Sequence, residues 1–257
     1  MIELQNISKT FNPGTVNEAR LFQNFSVKVA PGEFVSVVGS NGSGKTTMLN
    51  IISGTLPITG GKVLLQGQDI TNLPEYKRAR KIGRVFQNPA AGTVPGMTIT
   101  ENLALAENKG KPYRFQFAIN HRKAQQFREL VQQLGLGLED KMNVPVGLLS
   151  GGQRQALSLL MSTMTPIDLL LLDEHTAALD PHTAEIIMQL TNRIVQEKHI
   201  TTIMVTHNLR YAVEYGSRLY MMDKGRAVLD CSGAEKAALQ VDDILQLFNQ
   251  ISIECGN

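Results

Sequence analysis

The chain has 257 residues, 42% hydrophobic and 19% charged, with a formal net charge of +2. That length can bury one sizeable core, the composition excludes a disordered or low-complexity chain, and so small a charge excludes nucleic-acid binding by bulk electrostatics. The first residues, "MIELQNISKT", lack a basic region followed by an apolar stretch, so no signal peptide is expected; no apolar run nears the roughly 20 residues of a membrane span.

In chain order, "FVSVV" (34–38) reads as a buried strand, followed by a helix over residues 45–53 with Gly54 as its stop signal. "GKVLLQGQDI" (61–70) reads as a hairpin. The basic run "KRARK" (77–81) reads as a solvated helix face, with a docking or phosphate contact as the alternative, and "IGRVF" (82–86) as a strand. Gly and Pro interrupt the pattern at 88–97, before "TITE" (98–101) sets capping-box spacing for a helix. Residues 121–134 place Phe127, Leu130, Val131 and Leu134 on one helical face. A further helix, with Leu157, Leu160, Met161 and Met164 inward, opens near Ser150. "DLLLL" (168–172) is a second buried strand. Asp180-Pro181 starts a helix with Ile186, Ile187, Leu190 and Ile194 facing inward. "TTIMV" (201–205) is a third strand, "SRLYMMDKGRAVLD" (217–230) a hairpin turning at Asp223 to Gly225, and "VDDILQLF" an amphipathic helix that packs on the core. Strands and helices alternate, which predicts an α/β fold with a mainly parallel sheet. Cys231 and Cys255 form no metal-ligand or CxxC spacing, so both are expected as reduced thiols.

All three buried strands end in polar, chemically loaded residues, and ligands of open parallel sheets gather at such carboxyl ends. "GSNGSGKT" (39–46) fits the phosphate-loop pattern between a strand and a helix. Its glycines let backbone N–H groups converge on phosphate oxygens, and the helix's positive end adds to the attraction. The cradle is Gly39, Ser40, Asn41, Gly42, Ser43, Gly44, Lys45, Thr46 and Thr47. Lys45 is expected to bridge the β- and γ-phosphates of ATP, and the Thr46 hydroxyl to ligate Mg²⁺. "LLLLDE" (169–174) sets Asp173 to hold Mg²⁺. Glu174, pointing the other way by strand alternation, is set to act as general base toward a water. His207, after "IMVT", has the chemistry to contact the γ-phosphate, and the Gln87 amide to sense the metal or the water. A structural histidine and a surface glutamine are the plain alternatives. "SGGQ" (Ser150, Gly151, Gly152, Gln153) is a second anion-binding helix start with no lysine. One γ-phosphate is already held by the lysine loop, so an economical solution is a two-fold dimer in which this segment closes over the partner's ATP.

The ordered series "GSNGSGKT", Gln87, "LSGGQ", "LLLLDE", "AALD" and His207 resembles the ATP-binding subunit of ABC (ATP-binding cassette) transporters over nearly the whole chain. The resemblance implies a P-loop NTPase fold of the ABC-ATPase type: a RecA-like core, an antiparallel β-subdomain and an inserted α-helical subdomain. Residues 1–257 then form one domain, with 1–87 and 149–257 as catalytic core and 88–148 as helical subdomain. It implies ATP hydrolysis in a head-to-tail homodimer or pseudo-symmetric pair, with Asp180 contacting the partner as well as capping its own helix. Phe11 of "SKTF" stands where the family stacks an aromatic on adenine; a core position is the alternative. His175 stands where many members carry proline, a departure that leaves the carboxylates intact. The implied setting is the cytoplasmic face of a membrane, bound peripherally to an integral permease. "KTFNPGTVNE" and "DEHTAALDP" resemble a bacterial importer subgroup, which implies uptake of an amino acid or similar small solute and an extracytoplasmic solute-binding protein. Two rivals are an ABC-type ATPase of DNA repair or translation, whose relatives tend to carry long coiled coils or two cassettes, and a small-molecule P-loop kinase, which has no use for "LSGGQ".

Overall fold

The structure, a computed structural model, describes residues 1–111 and 121–254; Cys255 lies outside them. The chain divides into two compact units, one of Met1–Arg78 with His199–Asn257, the other of Ala79–Lys198.

In the first unit, β1 (Ile2–Phe11) and β2 (Ala19–Val29) pair antiparallel, with Ile2 opposite Val29. Burial alternates along β1 in two stretches: Ile2 and Leu4 turn inward, and after an irregularity in the pairing with Asn6 at φ 50°, Ile7 and Lys9 do. β3 (Phe34–Gly39) leads through a tight loop into α1 (Lys45–Ser53). β4 (Gly60–Leu65) and β5 (Gln68–Asp69) make the expected hairpin and complete an antiparallel sheet of order β2-β1-β4-β5. A single-turn helix, α2 (Glu75–Arg78), ends this part of the unit.

The second unit begins with β6 (Ile82–Val85) and a 3-10 turn over Pro89–Gly92. α3 (Ile99–Glu107), α4 (His121–Gln132), a second 3-10 turn (Val146–Leu148) and α5 (Gly151–Thr163) follow. β7 (Leu169–Asp173) runs parallel to β6, with Val85 level with Leu172, and α6 (Pro181–Lys198) closes the unit. Phe127, Val131 and Leu134 are buried, as the helical spacing of residues 121–134 predicts.

The chain then returns to the first unit with β8 (Thr202–Val205), α7 (Leu209–Glu214), β9 (Arg218–Asp223), β10 (Arg226–Ser232), α8 (Gly233–Ala238) and α9 (Val241–Glu254). β3 lies between β8 and β9 and is parallel to both, while β9 and β10 form the expected hairpin. Every residue of β3, β7 and β8 is buried. That continuous burial suits parallel strands covered on both faces, and each large apolar side chain so buried contributes about 1.5–3 kcal/mol. Ile244 of α9 joins Val38, Ala212, Leu219, Met221 and Cys231 in one apolar cluster, so the tail helix is part of this unit's core. Burial raises the Cys231 thiol pKa, which keeps it protonated.

The "KRARK" run departs from its expected solvated face. Arg78 is 5% exposed, and its guanidinium donates to the carbonyls of Ile51 and Ile52 at the end of α1 and to Leu73 and Thr71. A cation at the carbonyl end of a helix satisfies acceptors that have no partner within the helix. Charge spacing along the run carries no sign of that tertiary partner.

Candidate functional site

In the first unit the phosphate-loop pattern forms a closed cradle. Gly39 ends β3 at φ 155°, where an added Cβ would lie 2.2 Å from the Met222 carbonyl oxygen, so the close approach of β9 requires glycine. Gly44 precedes α1 in the left-handed region at φ 106°, where an added Cβ would lie 2.9 Å from the Phe22 ring. Lys45 is buried and donates from Nζ to the carbonyls of Gly39 (2.7 Å) and Ser40 (2.9 Å), which folds the loop around its own cation. Ser40 Oγ donates to Asp223 (3.0 Å), and Gly225 N donates to the Ser43 carbonyl (2.9 Å); the β9–β10 turn thus backs the loop. No side chain caps the start of α1, and the Ser43 hydroxyl is buried without a partner. A helix start without a side-chain cap, a buried cation and an orphan hydroxyl describe an anion site. Because Val37 and Val205 are level, Gly39 and His207 stand at the same ends of adjacent parallel strands. His207 is exposed. Phe11, at the end of β1, is half-buried rather than core, and Lys9 Nζ lies 5.2 Å from its ring centroid.

In the second unit the strand ends of β6 and β7 are also level, which brings the exposed Gln87 and the carboxylates 173–174 to one edge. Asp173 is buried and ion-paired to Arg84 of β6 at 2.9 Å. Arg84 also lies over the Phe86 ring, 4.7 Å from its centroid. The sequence carried one signal for this pair: a charge inside an apolar strand, "IGRVF", needs a partner when buried. Glu174 corrects the expectation from strand alternation. β7 stops at Asp173, and Glu174 adopts φ +47°. Its direction is set by a left-handed turn, which costs a non-glycine residue about 1–2 kcal/mol. The neighbouring structure must hold that strain. Ala177 N donates to the Glu174 carbonyl (2.9 Å) and Leu179 N to that of Thr176 (3.2 Å). His175 is 2% exposed, with Nε2 3.1 Å from Thr191 Oγ1. The Thr191 hydroxyl proton is committed to the Ile187 carbonyl (2.7 Å), so Nε2 must donate and the ring is the Nε2–H tautomer. Burial pushes the His175 pKa down to about 4, which keeps it neutral near pH 7.

The "SGGQ" segment opens α5 as its spacing predicts. Ser150 Oγ accepts from Gln153 N (3.2 Å) while Gln153 Oε1 accepts from Ser150 N (3.3 Å), a full capping box. Ser150 and Gly151 are exposed; Gly152 is buried, and a Cβ there would meet Thr183 of α6 at 2.2 Å. Gly152 therefore has a packing reason besides its backbone N–H. Asp180 caps α6 by accepting from Thr183 N (3.0 Å), and the Thr183 hydrogen bonds lower its carboxyl pKa. Gln155, a residue that sequence reasoning missed, is buried on α5 and donates from Nε2 to the Phe86 carbonyl (3.1 Å), immediately before Gln87. The signal available was an amide on the inward stripe of an otherwise apolar helix.

The described residues contain no group of three or more His, Cys, Asp or Glu side chains that could hold a metal. Each unit holds an oxygen donor of the kind that suits a hard cation: the exposed Thr46 in the loop of the first and the Asp173 carboxylate at a strand end of the second. Mg²⁺ takes oxygen ligands and is usually bound through one or two side chains plus substrate phosphates, and each of these donors has that chemistry. No helix among the described residues is long and apolar enough to cross a membrane.

A strand–loop–helix cradle with a buried lysine places the chain among P-loop nucleotide-binding proteins. The ABC transporter family model matches residues 22–177. The chain is 49% identical to the tyrosine transport ATP-binding protein of Clostridioides difficile (strain R20291), over 96% of this chain and 98% of that one. It is 29% identical to a phosphonates import ATP-binding protein of Lactococcus lactis subsp. cremoris (strain SK11), over 95% and 98%. An ATP-binding cassette solved as a dimer in a post-hydrolysis state with ADP and Pi is 30% identical, with a TM-score of 0.77 over 90% of this chain and 98% of that one. The chain belongs to the ABC transporter family and has its P-loop ATPase fold. It is an ATP-binding, ATP-hydrolysing subunit of such a transporter.

Proposed function

We propose that this subunit powers import of an amino acid or similarly small solute, two copies or a pseudo-symmetric pair working beneath an integral membrane permease. The observation that carries the nucleotide half of this reading is the loop 39–46, folded around Lys45 with an uncapped helix start beside it. In the proposed roles, the loop N–H groups and Lys45 hold the phosphates of ATP, Thr47 supports the cradle, and Phe11 stacks on adenine. Thr46 and Asp173, with the Gln87 amide, would hold Mg²⁺, whose charge offsets that of the β- and γ-phosphates when bound. Glu174 takes a proton from the attacking water, and His207 donates to the γ-phosphate. Ser150, Gly151, Gly152 and Gln153 close over the nucleotide held by the partner, and Asp180 faces that partner. A solved dimeric cassette at 30% identity supports this arrangement.

ATP then favours the closed pair, because the contacts of Ser150 and Gly152 to a γ-phosphate exist only there, and a ligand shifts an equilibrium only by differential affinity. Hydrolysis removes the bridge, and the permease follows. Support for the solute class comes from relatives named for tyrosine transport and, at 29% identity, for methionine import. An extracytoplasmic binding protein would deliver the solute, and peripheral attachment to the cytoplasmic side of the permease follows from the same reading. No nucleic-acid partner is proposed, given the charge of +2.

The test is Glu174→Gln in the full chain. ATP binding should persist, turnover should fall at least about 100-fold, the scale of general-base catalysis, and ATP should trap a dimer visible by size-exclusion chromatography. Unchanged turnover would remove Glu174 from its role. Ser150→Arg should spoil hydrolysis yet spare nucleotide binding to the monomer; loss of both would end the trans-site reading. Liposomes carrying the copurified permease, assayed for solute-stimulated ATPase activity, test the import reading.

A further inference from the structure

His175 follows the proposed general base directly, and the roles above leave it without a task. Its side chain is 2% exposed and ends on Thr191, itself fully buried in α6. The bond has a defined direction. Thr191 gives its proton to the Ile187 carbonyl (2.7 Å), so the imidazole Nε2–H is the donor over the 3.1 Å to Thr191 Oγ1. Glu174 sits in the left-handed region at φ +47°, one residue before this anchor and one residue after β7 ends at Asp173. A non-glycine residue holds that conformation only where its surroundings impose it. The end of β7 and the Arg84 ion pair hold Asp173 on one side, and the buried imidazole holds the backbone on the other.

We propose that His175 is a positioning residue of the ATPase reaction, its hydrogen bond to Thr191 clamping the strained turn that aims the Glu174 carboxylate at the attacking water. The proposal rests on the reading of Glu174 as general base. Proline at this position would stiffen the turn by ring geometry; histidine reaches the same end through a polar contact with α6. The clamp holds a group that acts in the chemical step and leaves the phosphate cradle, built by residues 39–46, untouched. Loss of the clamp should therefore appear in kcat and spare ATP affinity, since small displacements of a catalytic group cost up to about 100-fold in rate.

The experiment compares His175→Ala, His175→Gln and Thr191→Val with wild type in the full chain bound to its permease, measuring kcat, KM for ATP and Tm. The Gln amide nitrogen falls close to the position of imidazole Nε2 and can donate the same bond. Thr191→Val and His175→Ala should lower kcat about tenfold or more, with KM for ATP and the Kd for ATP of the isolated chain within about twofold; His175→Gln should keep at least about half of wild-type kcat. Wild-type kcat in Thr191→Val, or a loss in His175→Gln as deep as in His175→Ala, overturns the proposal. If His175→Ala does not fold, the other two variants decide. Glu174→Gln is run in parallel: turnover surviving there overturns the general-base reading itself, whereas an inactive Glu174→Gln beside a fully active Thr191→Val overturns only the clamp.

Discussion

At the residue scale, Arg84 and Asp173 form a pair in which each side chain is 12% exposed. Breaking a pair this buried leaves a charge without compensation, which outweighs the Coulombic gain of the intact pair. Arg84→Met is therefore expected to destabilise the chain by about 3 kcal/mol in urea unfolding, and Arg84→Met with Asp173→Asn to recover part of that loss. A single variant as stable as wild type would show that solvent or another cation serves Asp173. Lys45, Asp173 and Ser150 were legible because their chemistry lies in short motifs. Arg84 and Arg78 were not, because each is explained by a group far along the chain: a carboxylate 89 residues away for Arg84 and the carbonyl end of α1 for Arg78.

At the scale of single elements, helix starts were the most readable feature. Thr98 and Glu101 form the capping box that "TITE" announced, Thr98 Oγ1 accepting from Glu101 N and the Glu101 carboxylate accepting from Thr98 N. Thr98→Ala should cost about 1 kcal/mol by thermal or urea denaturation and leave nucleotide binding alone. α6 carries a pH signature through His175. Its folded pKa, about 4, lies below the ordinary 6.5 because burial disfavours the cation. Between those two values the unfolded chain binds a proton that the folded chain does not. Stability is thus complete above pH 6.5 and falls toward pH 4, by about 1.4 kcal/mol per pH unit. Melting curves across that window should drop more steeply for wild type than for His175→Gln; parallel curves would show that other groups dominate. The turn at Glu174 was misread at this scale. Alternation describes a side chain inside a strand, and β7 ends one residue too early for it to apply.

For the molecule as a whole, ATP is a ligand of the folded chain alone, so it should raise apparent stability by mass action. At 100 times its Kd, Mg-ATP should add about 2.7 kcal/mol, seen as a concentration-dependent rise in Tm. Lys45→Ala should abolish most of that rise while keeping the fold, because the Lys45 ammonium donates to carbonyls of the loop itself, Gly39 and Ser40. A full ligand shift in that variant would displace the loop from its role. The two units divide the motifs between them: Phe11, the loop 39–47 and His207 belong to the first, and Gln87, Ser150–Gln153, Asp173, Glu174 and Asp180 to the second.

By itself, the sequence determined the family, the phosphate loop, the order of the motifs and most helix starts. Each of these is written in contiguous residues, where spacing and backbone preference act locally. Only the tertiary structure decided that Arg84 neutralises Asp173, that Arg78 caps α1, that Gln155 holds the strand end before Gln87, and that a left-handed turn anchored by His175 directs Glu174. Those are pairings of buried polar groups. Their partners come from elements distant in sequence, and desolvation makes such pairing obligatory without writing it into local sequence.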